Sequence, residues 1–176
     1  IMFSDPEQNI LQLGLMPGMN VADIGSGSGF YSLAAAKAVG EKGKVYAIDV
    51  QKDLLSRLKK EAGRLRIHNI EVLWGNAEKP QGIPLRENSV DAAIIANILF
   101  HTPDRETLIY EAKRILKPNG RLFFVEWVDS FGGMGPLPEY IISPEKAKTL
   151  FEQAGFVFER RMGAGAHHYG IIFSKK

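Results

Sequence analysis

The residues best suited to chemistry in this 176-residue chain begin with Asp23-Ile24-Gly25-Ser26-Gly27-Ser28-Gly29-Phe30-Tyr31, followed at a distance by Asp49. Glycines on alternate positions permit positive φ and present bare backbone against which a ligand can lie. Asp23 sets a negative charge just ahead of that backbone. Asp49 closes an apolar run, where a carboxylate can accept from both hydroxyls of a ribose; its other reading is a helix N-cap before Gln51 and Lys52. Together these residues point to a ligand with an adenosine-type ribose. Dinucleotide sites also keep an acid at that place, so Asp49 alone does not choose the ligand. The spacing says more: it is G-x-G-x-G, not the dinucleotide G-x-G-x-x-G, whose third glycine packs helix on strand.

A second set of candidates lies further along. Asn97 follows an apolar run, His101 comes four residues later, and Glu126-Trp127 closes the next run. Imidazoles ordinarily titrate near neutrality, so His101 is a candidate general base, or else a cap or packing residue beside Thr102-Pro103. Glu126 is a candidate to hold an acceptor or form an ion pair, and Trp127 to wall a pocket or fill the core. Residues 129–140, with Gly132-Gly133 and Gly135-Pro136-Leu137-Pro138, break regular structure and are expected to form a substrate lid. Phe3, Phe30 and Tyr31 are candidates to close over the ligand, Tyr31 equally to pack beneath the loop. His167 and His168 are adjacent, and neighbours rarely face the same way, so no metal site is expected.

The elements that must position these groups follow from periodicity and punctuation. The sequence predicts a helix from about Asp5 to Leu13, a turn at Gly14 to Gly18, a strand at Val21 to Ile24, and a helix from Phe30 to Val39 stopped by Gly40. A strand at Lys44 to Asp49, a helix at Lys52 to Ala62 and strands at Ile70 to Trp74 and Val90 to Ala96 come next. A helix from Arg105 to Leu116 ends at Pro118-Asn119-Gly120, before a strand at Arg121 to Val128. The helix Ser143 to Ala154 leads into a hairpin of Val157 to Met162 and Tyr169 to Ser174. Alternating strand and helix argues for an α/β, doubly wound parallel sheet in one domain, residues 1–176, with residues 1–16 as an N-terminal helical segment.

Composition narrows the class. A hydrophobic fraction of 45% with 24% charged residues suits a packed globular domain. A net charge of +2 gives no nucleic-acid signal, and the basic run from Arg57 to Arg66 reads as a solvated helix face. The absence of cysteine excludes disulfides, thiolate metal sites and iron–sulfur radical chemistry. The apolar run Ala92 to Phe100 is too short to span a bilayer, and no signal segment opens the chain, so a cytoplasmic setting is expected. A start at Ile1 without Met suggests residues upstream.

With these blocks in this order, the chain resembles the class I S-adenosylmethionine-dependent methyltransferases. VADIGSGSGF resembles their first motif, AIDV the ribose-binding segment, GNAEKPQGIPLRENSVDAAIIANILFH the adenine segment and fourth strand, and RILKPNGRLFFVEW the helix, turn and fifth strand. The branch it is most similar to includes ubiquinone and menaquinone C-methyltransferases. The resemblance implies a Rossmann-like seven-stranded sheet of order 3-2-1-4-5-7-6 with strand 7 antiparallel. It implies S-adenosyl-L-methionine as cofactor, with Gly25, Gly27 and Gly29 in the methionine loop, Asp23 ordering that pocket and Tyr31 nearby. Asp49 would accept from the ribose, Val50 would pack on the adenine, and Asn76 and Ala77 stand where relatives have Asp and a small residue. Asn97 would meet the methionine amino group.

Three readings follow: a methyltransferase acting on a small-molecule acceptor, an S-adenosylmethionine-binding scaffold or partner subunit, and an NAD(P)-dependent oxidoreductase. The glycine spacing, Asp23 and the lack of a Tyr-x-x-x-Lys pair weigh against the last. The chain is expected to be a monomer or homodimer.

Overall fold

Strands that alternate between two covered faces should be apolar on both, and the central strands are. The protein is described by a computed structural model covering residues 4–176, so Phe3 lies outside the described residues. The strands are β1 (Asn20–Ile24), β2 (Lys44–Asp49), β3 (Ile70–Trp74), β4 (Val90–Ala96), β5 (Leu116–Trp127), β6 (Phe156–Gly163) and β7 (His168–Lys175). They form one sheet of order β3-β2-β1-β4-β5-β7-β6, with β7 antiparallel to β5 and β6.

The helices are α1 (Pro6–Leu13), α2 (Phe30–Val39), α3 (Lys52–Arg64), α4 (Arg105–Ile115) and α5 (Pro144–Gln153). Period-two alternation divides the core between the two faces. Ala93, Ile95 and Phe124 pack with Leu108 and Ile109 of α4 and Phe151 of α5. Ala92, Ile94 and Phe123 pack with Ile10 and Leu13 of α1 and Ala35 and Val39 of α2. Phe151 stacks on Phe173 at 4.5 Å and is fully buried, so Phe151→Ala should cost about 3–5 kcal/mol.

Local signals end the helices where expected. Asp5 accepts from the Gln8 N–H at the start of α1, and Gly14 closes that helix in the left-handed region at φ +70°. Asp104 caps α4 through the Thr107 N–H, and Ser143 caps α5 through the Lys146 N–H.

Most boundaries fall within one residue of the sequence expectation; the end of α3 and the start of β5 do not. Helix α3 runs on to Arg64, and α4 stops at Ile115 so that Leu116 opens β5. The helical spacing of apolar residues continues through Leu116, but Leu116 pairs with Val90 instead, and the N–H groups of Asn88 and Ser89 donate to the carbonyls of Arg114 and Ile115. Pro118 to Gly120 then loop out before Arg121 rejoins opposite Ala92. Two 3-10 turns, Leu99–His101 and Pro138–Tyr140, were not foreseen. No helix among the described residues is long and apolar enough to cross a membrane.

Because β1 lies between β2 and β4, the chain leaves β1 and β4 in opposite directions. In an open α/β sheet the crevice at that reversal, beyond the strand C-termini, is where ligands bind.

Candidate active site

The glycine loop after β1 lines that crevice. Its backbone is pinned by Gly25 and Ser26, whose N–H groups donate to the Ile48 carbonyl at 2.8 and 3.0 Å. A Cβ on Gly27, at φ +52°, would meet nothing within 4 Å, so this residue opens onto free space. Gly29 plays another part. It stands before α2 at φ +80°, and a Cβ there would lie 2.2 Å from Leu58 of α3. Expected among the ligand contacts, Gly29 stands off the cavity and lets two helices approach.

Two acids shape the loop. Asp49 accepts from the Gly27 N–H through Oδ2 at 2.9 Å and from the Gln51 N–H through Oδ1 at 2.8 Å. It thus ties the glycine loop to the start of α3, lines the cavity and keeps lone pairs to spare. Asp23 is 2% exposed and accepts from the Ser32 hydroxyl at 2.6 Å. Burial pushes its carboxyl up to about 6, only partly offset by the donors of Ser32. A buried carboxyl in this state favours a cationic neighbour.

The crevice holds a cavity of about 730 Å³. Asp23, Gly25, Gly27, Tyr31, Asp49, Val50, Asn76, Ala77, Asn97 and His101 all line it, and Gly29 and Glu126 do not. Asn76 bends its own backbone, its Oδ1 accepting from the Glu78 N–H at 2.9 Å. The Tyr31 hydroxyl meets Ser4 Oγ at 3.0 Å and the Asn9 amide at 2.9 Å, so it joins α2 to the N-terminal segment.

Two buried polar atoms have no partner among the described residues: Ser26 Oγ and Asn97 Oδ1. Such atoms are rare in native proteins and call for a partner, a ligand or a water. Asn97 is held at φ +57°, directly after β4, with its N–H bonded to the Val125 carbonyl at 2.9 Å. The residues present therefore fit an adenosylated amino acid. Asp49 suits ribose hydroxyls, the bare loop suits a close backbone approach, and Asp23 with Asn97 Oδ1 suits an ammonium.

The far wall is contributed by the ends of β4, β5 and β7. His101 is exposed on the rim, its ring edge-on to Phe100 at 4.7 Å. Trp127 and His168 form the facing wall, with ring centroids 4.2 Å apart. Glu126 departs from expectation: it is 0% exposed and turned beneath this wall, accepting backbone N–H groups. Sequence reasoning missed Ser26, Ser32, Asn9 and the cavity-lining role of His168. Only Ser26, inside the motif, carried a local signal.

Comparison with known proteins agrees with this geometry. The family described as a methyltransferase domain matches residues 15–155. A demethylmenaquinone methyltransferase of Bacillus cereus is 32% identical, with 90% of this chain and 80% of that protein covered. Its counterpart in Oceanobacillus iheyensis is 32% identical over 65% of this chain, and the match spans just under half of that relative, 47%. A solved S-adenosylmethionine-dependent methyltransferase from Aquifex aeolicus superposes with TM-score 0.89 at 34% identity, covering 99% of this chain and 91% of that one. The [4+2]-cyclase SpnF, 17% identical with TM-score 0.82, covered over 97% of this chain and 80% of its own, shares the fold alone.

Proposed function

From the premise that the chain belongs to the S-adenosylmethionine-dependent methyltransferases, we propose that it methylates a small, planar aromatic acceptor of the hydroquinone type. The observation that carries this reading is the continuous cavity of about 730 Å³, which joins the glycine loop to a wall of Phe30, Tyr31, His101, Trp127 and His168. Aromatic and imidazole rings at that wall favour a flat, electron-rich partner. The names of the demethylmenaquinone methyltransferase relatives support the same class.

Bound, the cofactor supplies a methyl group on a sulfonium, a carbon already activated for in-line displacement. What remains for the protein is placement and one proton. Asp49 accepts from the ribose hydroxyls, and Asp23 with Asn97 holds the ammonium end. Trp127 and His168 orient the acceptor ring, an alignment that can supply up to ~7–11 kcal/mol of barrier reduction. His101, on the rim, receives the proton that the acceptor gives up, and residues 129–140 cover the acceptor side. Gly135 of that segment already packs on the Trp127 ring, since a Cβ there would lie 2.8 Å from it.

Formation of S-adenosylhomocysteine with 1,4-naphthohydroquinone, catechol and an aliphatic amine tests the proposal. Turnover should favour the naphthohydroquinone. Turnover with the amine alone would reject the acceptor class. Cofactor binding without turnover on any member would support a scaffold role. His101→Ala should lower kcat by about 10²-fold and leave S-adenosylhomocysteine affinity unchanged, as for loss of a general base.

A further inference from the structure

Glu126 has no part in the chemistry above, yet it is the most deeply buried carboxylate on the acceptor side. One oxygen, Oε2, accepts from the Phe100 N–H at 3.2 Å, and the other, Oε1, accepts from the Trp127 N–H at 3.1 Å. Those donors belong to different walls: the Leu99–His101 turn presents His101, and the end of β5 presents Trp127. The opposite side of the same turn is held by Arg105 of α4, whose guanidinium donates to the carbonyls of Leu99 at 2.9 Å and Phe100 at 3.3 Å. Thr102 Oγ adds a bond to the Ile98 carbonyl at 2.8 Å. The turn is therefore gripped by a carboxylate through its N–H groups and by a guanidinium through its carbonyls.

We propose that Glu126 is a positioning residue: by accepting from the Phe100 and Trp127 amides at once, its carboxylate fixes His101 and Trp127 relative to each other, and losing its charge loosens the acceptor side alone. That His101 and Trp127 face the acceptor rests on the functional reading above; the two hydrogen bonds do not. Protonation turns one carboxyl oxygen into a donor, so one of the two amides loses its acceptor.

Burial pushes the Glu126 carboxyl up to about 7, against the opposing pull of the backbone donors and Arg105. Its charge therefore changes within the neutral range, and the acceptor side should tighten as pH rises through about 7. The charged and titratable groups facing it are Arg105 from α4 and Tyr169 from β7. Tyr169 sits opposite Glu126 in the sheet, and its hydroxyl is committed to the Ile142 carbonyl at 2.7 Å.

An NMR titration of the protein without acceptor reads the proposal directly. The amide protons of Phe100 and Trp127 and the side-chain carboxyl carbon of Glu126 should move together, with one midpoint near 7. Glu126→Gln should abolish the movement of both amides and leave S-adenosylhomocysteine affinity, measured by calorimetry, unchanged. Different midpoints for the two amides, a titration persisting in the Gln variant, or an equal loss of cofactor affinity would each overturn it. Should the Gln variant not fold, the shared or unshared midpoint in the native protein decides. Since no acceptor is present, the result stands whether or not a hydroquinone is the substrate.

Discussion

The two halves of the crevice are built from different materials. The proposed cofactor side, at the ends of β1 and β2, consists largely of backbone: a bare glycine loop, the amides of Gly25 to Gly27, and an Asp49 carboxylate that accepts from that loop. The acceptor side, at the ends of β4, β5 and β7, is made of side chains that meet only because the sheet brings them together. His101, Trp127 and His168 come from three separate segments. A site of backbone recognises what every member of a family shares, because its shape survives substitution of neighbouring side chains. A site of converging side chains can be rebuilt one residue at a time, which is how one fold serves many acceptors.

Asp49→Ala is expected to strike the cofactor side hardest. It removes the proposed acceptor of the ribose hydroxyls and frees the Gly27 and Gln51 N–H groups as well. At about 1.5–3 kcal/mol for each hydrogen bond to a charged group, S-adenosylhomocysteine affinity should fall by about 100-fold or more. Calorimetry on a variant whose circular dichroism is unchanged measures this. A loss no larger than tenfold would show that the two halves are less distinct than described.

The next effect concerns pH. The Asp23 carboxyl is raised from 3.8 to about 6 by burial. Its neutral form therefore favours the folded protein without ligand; that contribution is full below pH 3.8 and is lost as pH rises through about 6. A cationic ligand needs the ionised form, so the sign reverses for binding. S-adenosylhomocysteine affinity should rise by up to about tenfold per pH unit below pH 6 and level off above it, and Asp23→Asn should flatten the profile. A flat native profile would remove Asp23 from the ammonium site.

The smallest effect sharpens the contrast within the cofactor side. Val50 lines the cavity but is 51% exposed. Val50→Ala gives up only part of an apolar contact, at most about 1 kcal/mol, so affinity should drop roughly fivefold or less. A drop as large as that of Asp49→Ala would mean side chains, not backbone, carry this half.

The same division decided what could be read from the sequence. Gly25, Gly27 and Asp49 announce themselves because turn geometry and strand ends are local properties. The doubly wound class followed from the alternation of elements, and the strand order from the resemblance alone. The second task of Asp49, holding the Gly27 N–H, was not visible, because it depends on where β2 lies beside the loop. Glu126 misled for a similar reason. Its place at a strand end suggested the cleft, but its partner N–H belongs to Phe100, and only the packing of the Leu99–His101 turn on β5 brings them together. Leu116 fitted a helical period and a strand equally well, and its pairing with Val90 settled the matter.

A crystal structure with S-adenosylhomocysteine bound tests the division of the crevice most directly. The ribose hydroxyls should lie on the Asp49 carboxylate, the ammonium against Asp23 and Asn97 Oδ1, and the sulfur should turn toward His101 and Trp127. An adenosyl group lying against Trp127 and His168, with Asp49 and the glycine loop untouched, would contradict it.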